Sequence, residues 1–201
     1  MAQSPDPSRP MRADARRNGE LLIATARAVF AEKGAEAPLD EIAKRAGVGA
    51  GTLYRHFPNR EALVEAVYRD EVDQLANLAS ELLASRSPSV ALDEWMRAHV
   101  GFVAHRRGLA TSLKAMLDPN GETMVWCKAR MLDAAEKMLD AGREAGTVRA
   151  DLVPYDLLRL GHAVGIVAEL GTAADGARMT EVMLVGLRAH HPDTGRQSVL
   201  G

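Results

Sequence analysis

Leu39-Asp40-Glu41-Ile42-Ala43-Lys44-Arg45-Ala46-Gly47-Val48-Gly49-Ala50-Gly51-Thr52-Leu53-Tyr54-Arg55-His56-Phe57-Pro58-Asn59-Arg60 is the stretch that decides the fold. Pro38 suits a first helical position, and Leu39, Ile42, Ala43 and Ala46 make one apolar face until Gly47 ends a helix of two turns. A second short helix runs from Ala50 to Phe57, closed by Pro58, whose ring disfavours helical geometry at the residue before it. Leu53 and Phe57 sit four apart and pack inward, which leaves Thr52, Tyr54, Arg55 and His56 facing outward. Two short helices across a glycine-bearing turn are the arrangement in which the second enters a DNA major groove. The outward hydroxyl, phenol, guanidinium and imidazole are all donors to phosphates or base edges. Lys44 and Arg45 before the turn, and Arg60 after it, add positive charge around the same surface.

Upstream, Leu22, Ala26, Val29 and Phe30 fall at helical spacing within residues 18–33, before Gly34 supplies a stop. Downstream, Asn59 caps a helix through Leu63, Val67, Leu75, Leu78 and Leu82 toward Ser85. The pattern stays helical over 90–106, 108–117, 123–145, 155–173 and 177–189, with breaks at Pro88, Arg107-Gly108, Asp118-Pro119-Asn120-Gly121, Gly146 and Asp175-Gly176. Nine helices and no alternating strand pattern give an all-α fold.

Composition agrees, since 47% hydrophobic residues with only 4% aromatic suit helices better than sheets. No uncharged run exceeds nine residues (46–54 and 160–168), short of the roughly 20 that span a bilayer. The first ten residues have no apolar core, so they read as a disordered arm rather than a secretory signal. One cysteine, Cys127, forms no internal disulfide and suits a reducing cytoplasm. Residues 1–60 carry ten Lys+Arg against seven Asp+Glu, whereas the other 141 carry fifteen against twenty. A basic head on an acidic body fits a head that meets a polyanion.

The run from Leu39 to Leu63, and above all Gly51-Thr52-Leu53-Tyr54-Arg55-His56-Phe57, resembles the DNA-binding segment of the TetR family of bacterial transcriptional regulators, over about residues 18–67. The resemblance implies a three-helix head, a fourth helix linking it to a ligand-binding and dimerising body, and a homodimeric repressor released by a small molecule. It implies that Thr52, Tyr54, His56 and Arg60 bind phosphates, and that Gly49, Ala50 and Arg55 lie nearest the bases. With Lys44, Arg45 and Gly51 these make the candidate DNA-binding set. Two departures matter. Ala37-Pro38 stands where many members cap the second helix with Ser or Thr, and Gly49-Ala50 offers bases no side-chain hydrogen bond. Arg55 is left as the chief direct reader, preferring guanine; Arg9, Arg12, Arg16 and Arg17 could follow the backbone into a minor groove. The expected organisation is an arm at 1–15, a head at 16–62 with its motif at 38–57, a regulatory and dimerisation domain at 63–190, and a flexible tail at 191–201.

Trp95, His99 and Phe102 recur at helical spacing, with Met116, Trp126 and Met131 on later helices. Their plain reading is core, while the resemblance places a ligand pocket among the helices after the fourth. Leu157, Leu158, Gly161, Val164, Gly165 and Ala168, then Val182, Met183 and Gly186, form stripes rich in small residues that could pair with their copies in a two-fold interface. Gly47-Val48-Gly49-Ala50-Gly51 lacks the strand and Lys-Ser/Thr of a nucleotide loop, His99 and His105 fall on different helix faces, and no catalytic motif is visible, so no enzyme, cofactor or metal is expected. Residues alone leave two competitors open: a helical carrier or enzyme indifferent to DNA, and a non-specific nucleoid-like binder. The expectation is a cytoplasmic, sequence-specific regulator whose partners are operator DNA, a second copy and an unknown effector, with no membrane.

Overall fold

The computed structural model describes residues 8–104 and 118–189, with side chains from residue 14 onward. Eight helices lie in that range: α1 Ser8–Lys33, α2 Leu39–Arg45, α3 Ala50–His56, α4 Arg60–Ser85, α5 Pro88–Ala104, α6 Glu122–Glu144, α7 Pro154–Leu170 and α8 Ala173–Leu187. No strand occurs among the described residues, only one bridge between Val148 and Arg188. The helix expected at 108–117, Met116 and the tail at 191–201 fall outside the described residues.

Three boundaries differ from the sequence reading. Helix α1 begins at Ser8, well before Asn18, with Pro10 in a first turn where its missing N–H has no partner to lose. Pro88 opens α5 rather than breaking the chain ahead of it, for the same reason. Asp175-Gly176, read as a break, lies inside α8. The Thr172 hydroxyl accepts from the Asp175 amide at 3.2 Å and the Asp175 carboxylate accepts from the Thr172 amide, so the break falls one turn earlier.

The chain divides into two compact units, Met1–Asp73 with Arg106–Lys128 and Gln74–His105 with Ala129–Gly201. In the first, α1, α2 and α3 pack on one another around Leu22, Val29, Phe30, Ile42 and Leu53, all essentially without solvent contact. Arg27 of α1 pairs with Asp70 of α4 in the same unit.

In the second, α5 packs against α7 and α8, and α7 against α8. Trp95 is completely buried and its indole N–H donates to the Leu75 carbonyl at 2.9 Å, the satisfaction a buried indole requires. Where α5 meets α7, Gly161 and Gly165 let the backbones come close. A Cβ at Gly161 would lie 2.4 Å from Nδ1 of His99, and one at Gly165 would lie 2.4 Å from Cβ of Val103.

Two glycines therefore predict opposite outcomes. Gly165→Ala forces Val103 or the α5 backbone to shift and is expected to cost about 1–3 kcal/mol. Gly186→Ala, with nothing within 4 Å of the new methyl, is expected to gain up to about 1 kcal/mol from helix propensity. Urea unfolding at one fixed protein concentration separates the two.

Candidate nucleic-acid interface

The surface around α3 is set by what anchors it. Leu53 and Phe57 are buried, so the seven residues of α3 are held by their inner side. Gly47, at φ +69°, makes the turn between α2 and α3 in a left-handed conformation that other residues rarely adopt. Neither helix has a side-chain cap: Pro38 and Gly49 stand at the N-cap positions and supply only carbonyls, Gly49 to the Thr52 amide at 2.8 Å and Pro38 to the Glu41 amide at 3.1 Å. Asn59, by contrast, caps α4 with its side chain, accepting from the Ala62 amide at 2.8 Å.

On the outer side, Ala50, Gly51, Tyr54 and Arg55 are exposed and Thr52 and His56 half-buried. Tyr54 is 47% exposed, a large share for an aromatic residue. His56 leans toward α1, where a Cβ at Gly19 would lie 3.4 Å from its Nδ1. Gly19 was not singled out from the sequence, although a glycine inside a helical run is a signal of close approach.

The basic residues divide. Lys44 is exposed. Arg45 turns away toward α1, 2.7 Å from Glu32 and 3.0 Å from Glu41, and Glu41 in turn accepts from Lys33 at 2.7 Å. The Lys33 hydrogen bond, helped by Arg45, holds the Glu41 carboxyl below its ordinary range against the opposing effect of desolvation, and Glu32 followed by Glu41 raises the Arg45 guanidinium. Arg60 donates to the carbonyls of Ala35 and Ala37 at 2.5 and 2.8 Å. Arg45 and Arg60, expected at the DNA surface, are thus engaged in fixing the α1–α2 corner, the place where Ala37-Pro38 leaves α2 without a cap.

The other candidate sets also resolve residue by residue. Trp95, His99 and Met131 are buried and Phe102 half-buried in the second unit, with the His99 ring 5.8 Å from Trp95 and 6.5 Å from Phe102. Trp126 belongs to the first unit, with the Arg69 guanidinium 4.6 Å over its ring and Thr123 donating to Glu65 nearby. Leu157, Gly161, Gly165 and Met183, expected between subunits, are buried within the chain itself, and Leu158, Val164 and Ala168 half-buried. Val182 and Gly186 are exposed.

A family model described as bacterial regulatory proteins of the tetR family matches residues 22–67, and one for the C-terminal domain of SbtR-like transcriptional regulators matches 87–189. The chain belongs to the TetR family. The crystal structure of TetR transcriptional regulator SCO0520 from Streptomyces coelicolor is 34% identical, covers 86% of this chain and 99% of its own, and superposes with a TM-score of 0.74. Two curated regulators from Mycolicibacterium smegmatis are each 37% identical. The repressor KstR2 matches over 51% of this chain and 49% of its own length, and the activator FasR over 44% and 41%. The chain spans less than half the length of the curated relatives it matches. Among the described residues, no helix is long and apolar enough to cross a membrane.

The division of the basic residues sets a test. Arg60→Gln is expected to lower stability by about 1–3 kcal/mol, because charged donors to two carbonyls are lost. It should leave the dependence of DNA affinity on salt as in the parent chain; a shallower slope would instead make Arg60 a phosphate ligand.

Proposed function

We propose that the chain is a homodimeric repressor that occupies a pseudo-palindromic operator through α3 and leaves it when a small molecule binds the second unit. The observation that carries the reading is the outer face of α3, where Tyr54 and Arg55 stand exposed on a helix pinned by Leu53 and Phe57, inside the segment that matches the tetR head. In this reading Thr52, Tyr54, His56 and Lys44 reach phosphates, and Gly49, Ala50, Gly51 and Arg55 lie toward the base edges. Arg45 and Arg60 act at one remove, by holding the corner that aims α2.

Dimerisation rests on a second apolar face. Leu160, Ile166, Val167 and Leu170 are exposed on α7, Leu170 by 80%, and Val182 and Val185 are more than 60% exposed on α8. At about 100° per residue the exposed residues of α7 lie roughly opposite its buried Leu157-Gly161-Gly165 stripe. A helix apolar on both sides calls for cover on both. A second copy supplies that cover by two-fold symmetry, and two heads about 34 Å apart then enter successive major grooves.

Occupying a promoter needs only the head, so repression is the simplest consequence of binding; relatives named as a repressor and an activator both match. An effector would act by preferring the dimer whose head spacing misfits the grooves. Acting on DNA, the chain works in the bacterial cytoplasm, and its single cysteine, Cys127, buried and outside any disulfide, suits a reducing compartment.

Gel-shift titration against the DNA flanking its own gene tests the reading. Affinity should fall steeply with salt and favour one fragment, whereas binding indifferent to DNA would return the chain to the helical carriers. Tyr54→Ala should weaken every fragment about equally. Leu170→Lys combined with Val182→Lys should halve the sedimenting mass and weaken operator binding at least about tenfold, since two charges per subunit would be desolvated. An unchanged mass would move the dimer interface elsewhere.

A further inference from the structure

Arg55 does not extend freely from α3. Its Nε donates to the carbonyl oxygen of Gly51, one turn earlier, at 3.1 Å, and a Cβ placed on Gly51 would lie 3.9 Å from Nη2. The guanidinium therefore rests over the bare backbone of the first turn of its own helix. Residues four apart on a helix are stacked neighbours, so whatever side chain stood at 51 would meet Arg55 directly. The exposed face of α3 holds Ala50, Gly51, Tyr54 and Arg55, which makes Arg55 its sole cationic fork.

We propose that Gly51 is a specificity-determining, positioning residue: its carbonyl seats Arg55, and its missing side chain keeps the seat open, so that the guanidinium meets a guanine already oriented. The inference rests on the operator-binding reading of α3. A guanidinium carries five donors in one plane. With Nε engaged by Gly51, the two terminal nitrogens remain side by side, the spacing that guanine O6 and N7 accept together. A carbonyl has two lone pairs, so Gly51 can serve Arg55 without giving up its helical bond. Seating also removes, before the encounter, rotamer freedom that a free arginine loses on binding. Ala at 51 still leaves ordinary van der Waals distance to Nη2, whereas a longer or branched side chain fills the seat.

The test is selection of binding sites by the full chain from random duplexes of about 30 base pairs, followed by single-pair substitution in the selected site. One G·C pair in each half-site is expected whose replacement weakens binding about tenfold or more. Arg55→Ala should flatten that preference. Gly51→Val should flatten it at the same pair while still binding unselected DNA in a salt-dependent way, and Gly51→Ala should preserve it. A lost fold would depress selected and unselected DNA alike, so retained non-specific binding separates the seat from folding; Gly51→Gln, unbranched and kinder to a helix, applies the same test if the valine unfolds α3. A folded Gly51→Val or Gly51→Gln chain that discriminates the pair as strongly as the parent overturns the seat. Arg55→Ala that discriminates every pair as the parent does overturns direct readout by Arg55, and a chain that selects no sequence overturns operator binding itself.

Discussion

The whole outer surface of the head depends on the burial of Leu53 and Phe57. Helix α3 has seven residues, far below the length of about 12–15 at which an isolated helix becomes even marginally stable. It has no capping side chain at its start and no room to continue past Pro58. Tertiary contact must therefore hold it, and two side chains supply that contact, each contributing about 1.5–3 kcal/mol when fully buried. Because they sit four apart, they also fix the rotation of the helix about its axis. Tyr54 and Arg55 are outward because Leu53 and Phe57 are inward. The ion pairs of the corner, Glu32 with Arg45 and Lys33 with Glu41, are exposed and add little stability of their own, so what they contribute is geometry.

The second unit reaches definition by a different route. In α7 the small residues at 161 and 165 bring the backbone against His99 and Val103 of α5, closely enough that a single methyl has nowhere to go. Such contact is specific as well as tight, since close-packed interiors resist even one added carbon. The opposite face of α7 exposes Leu160, Ile166, Val167 and Leu170 beside Arg159 and His162. In the dimer we propose, a helix locked on one face inside its own chain would present its other face on a rigid platform, the rigidity that a two-headed reader of fixed groove spacing requires.

Much of this was legible in the sequence, and the parts that were not share a cause. The inward pair Leu53 and Phe57, the Asn59 cap and the missing cap at Pro38 are local properties, decided by spacing over four residues or by one residue's chemistry. The stripe at Leu157, Gly161 and Gly165 was legible as a place where backbones approach, but spacing does not say whose backbone; α5 of the same chain fills it. Arg45 and Arg60 read as surface charge; Arg45 does meet Glu41 one turn earlier, but its other partner Glu32 lies 13 positions away and the carbonyls that Arg60 meets lie 23 and 25 away, beyond any periodicity. The start of α8 was misplaced for the opposite reason: a local signal, Thr172 with Asp175, was present, but Gly176 beside it looked like a stop. Inside α8 that glycine makes room for α7, since a Cβ there would fall 2.6 Å from that of Ala168.

The bareness of the first turn of α3 changes how recognition must be divided between side chain and backbone. A helix start furnished with long polar residues reads several base pairs at once, each with its own donors. Here Gly49, Ala50 and Gly51 contribute a methyl group and main chain only, so in the operator-binding reading we propose the helix would approach the groove floor closely, with most of its hydrogen bonding falling to residues of the next turn. Close approach concentrates discrimination on few donors, and guanine alone offers an arginine two adjacent acceptors on one base, so a guanidinium whose plane is set beforehand gives up less rotamer freedom in meeting them. The same missing side chains that impoverish the face thus leave exposed the carbonyl that constrains the one rich donor on it. Loss of contacts and gain of orientation are, on this surface, a single structural fact.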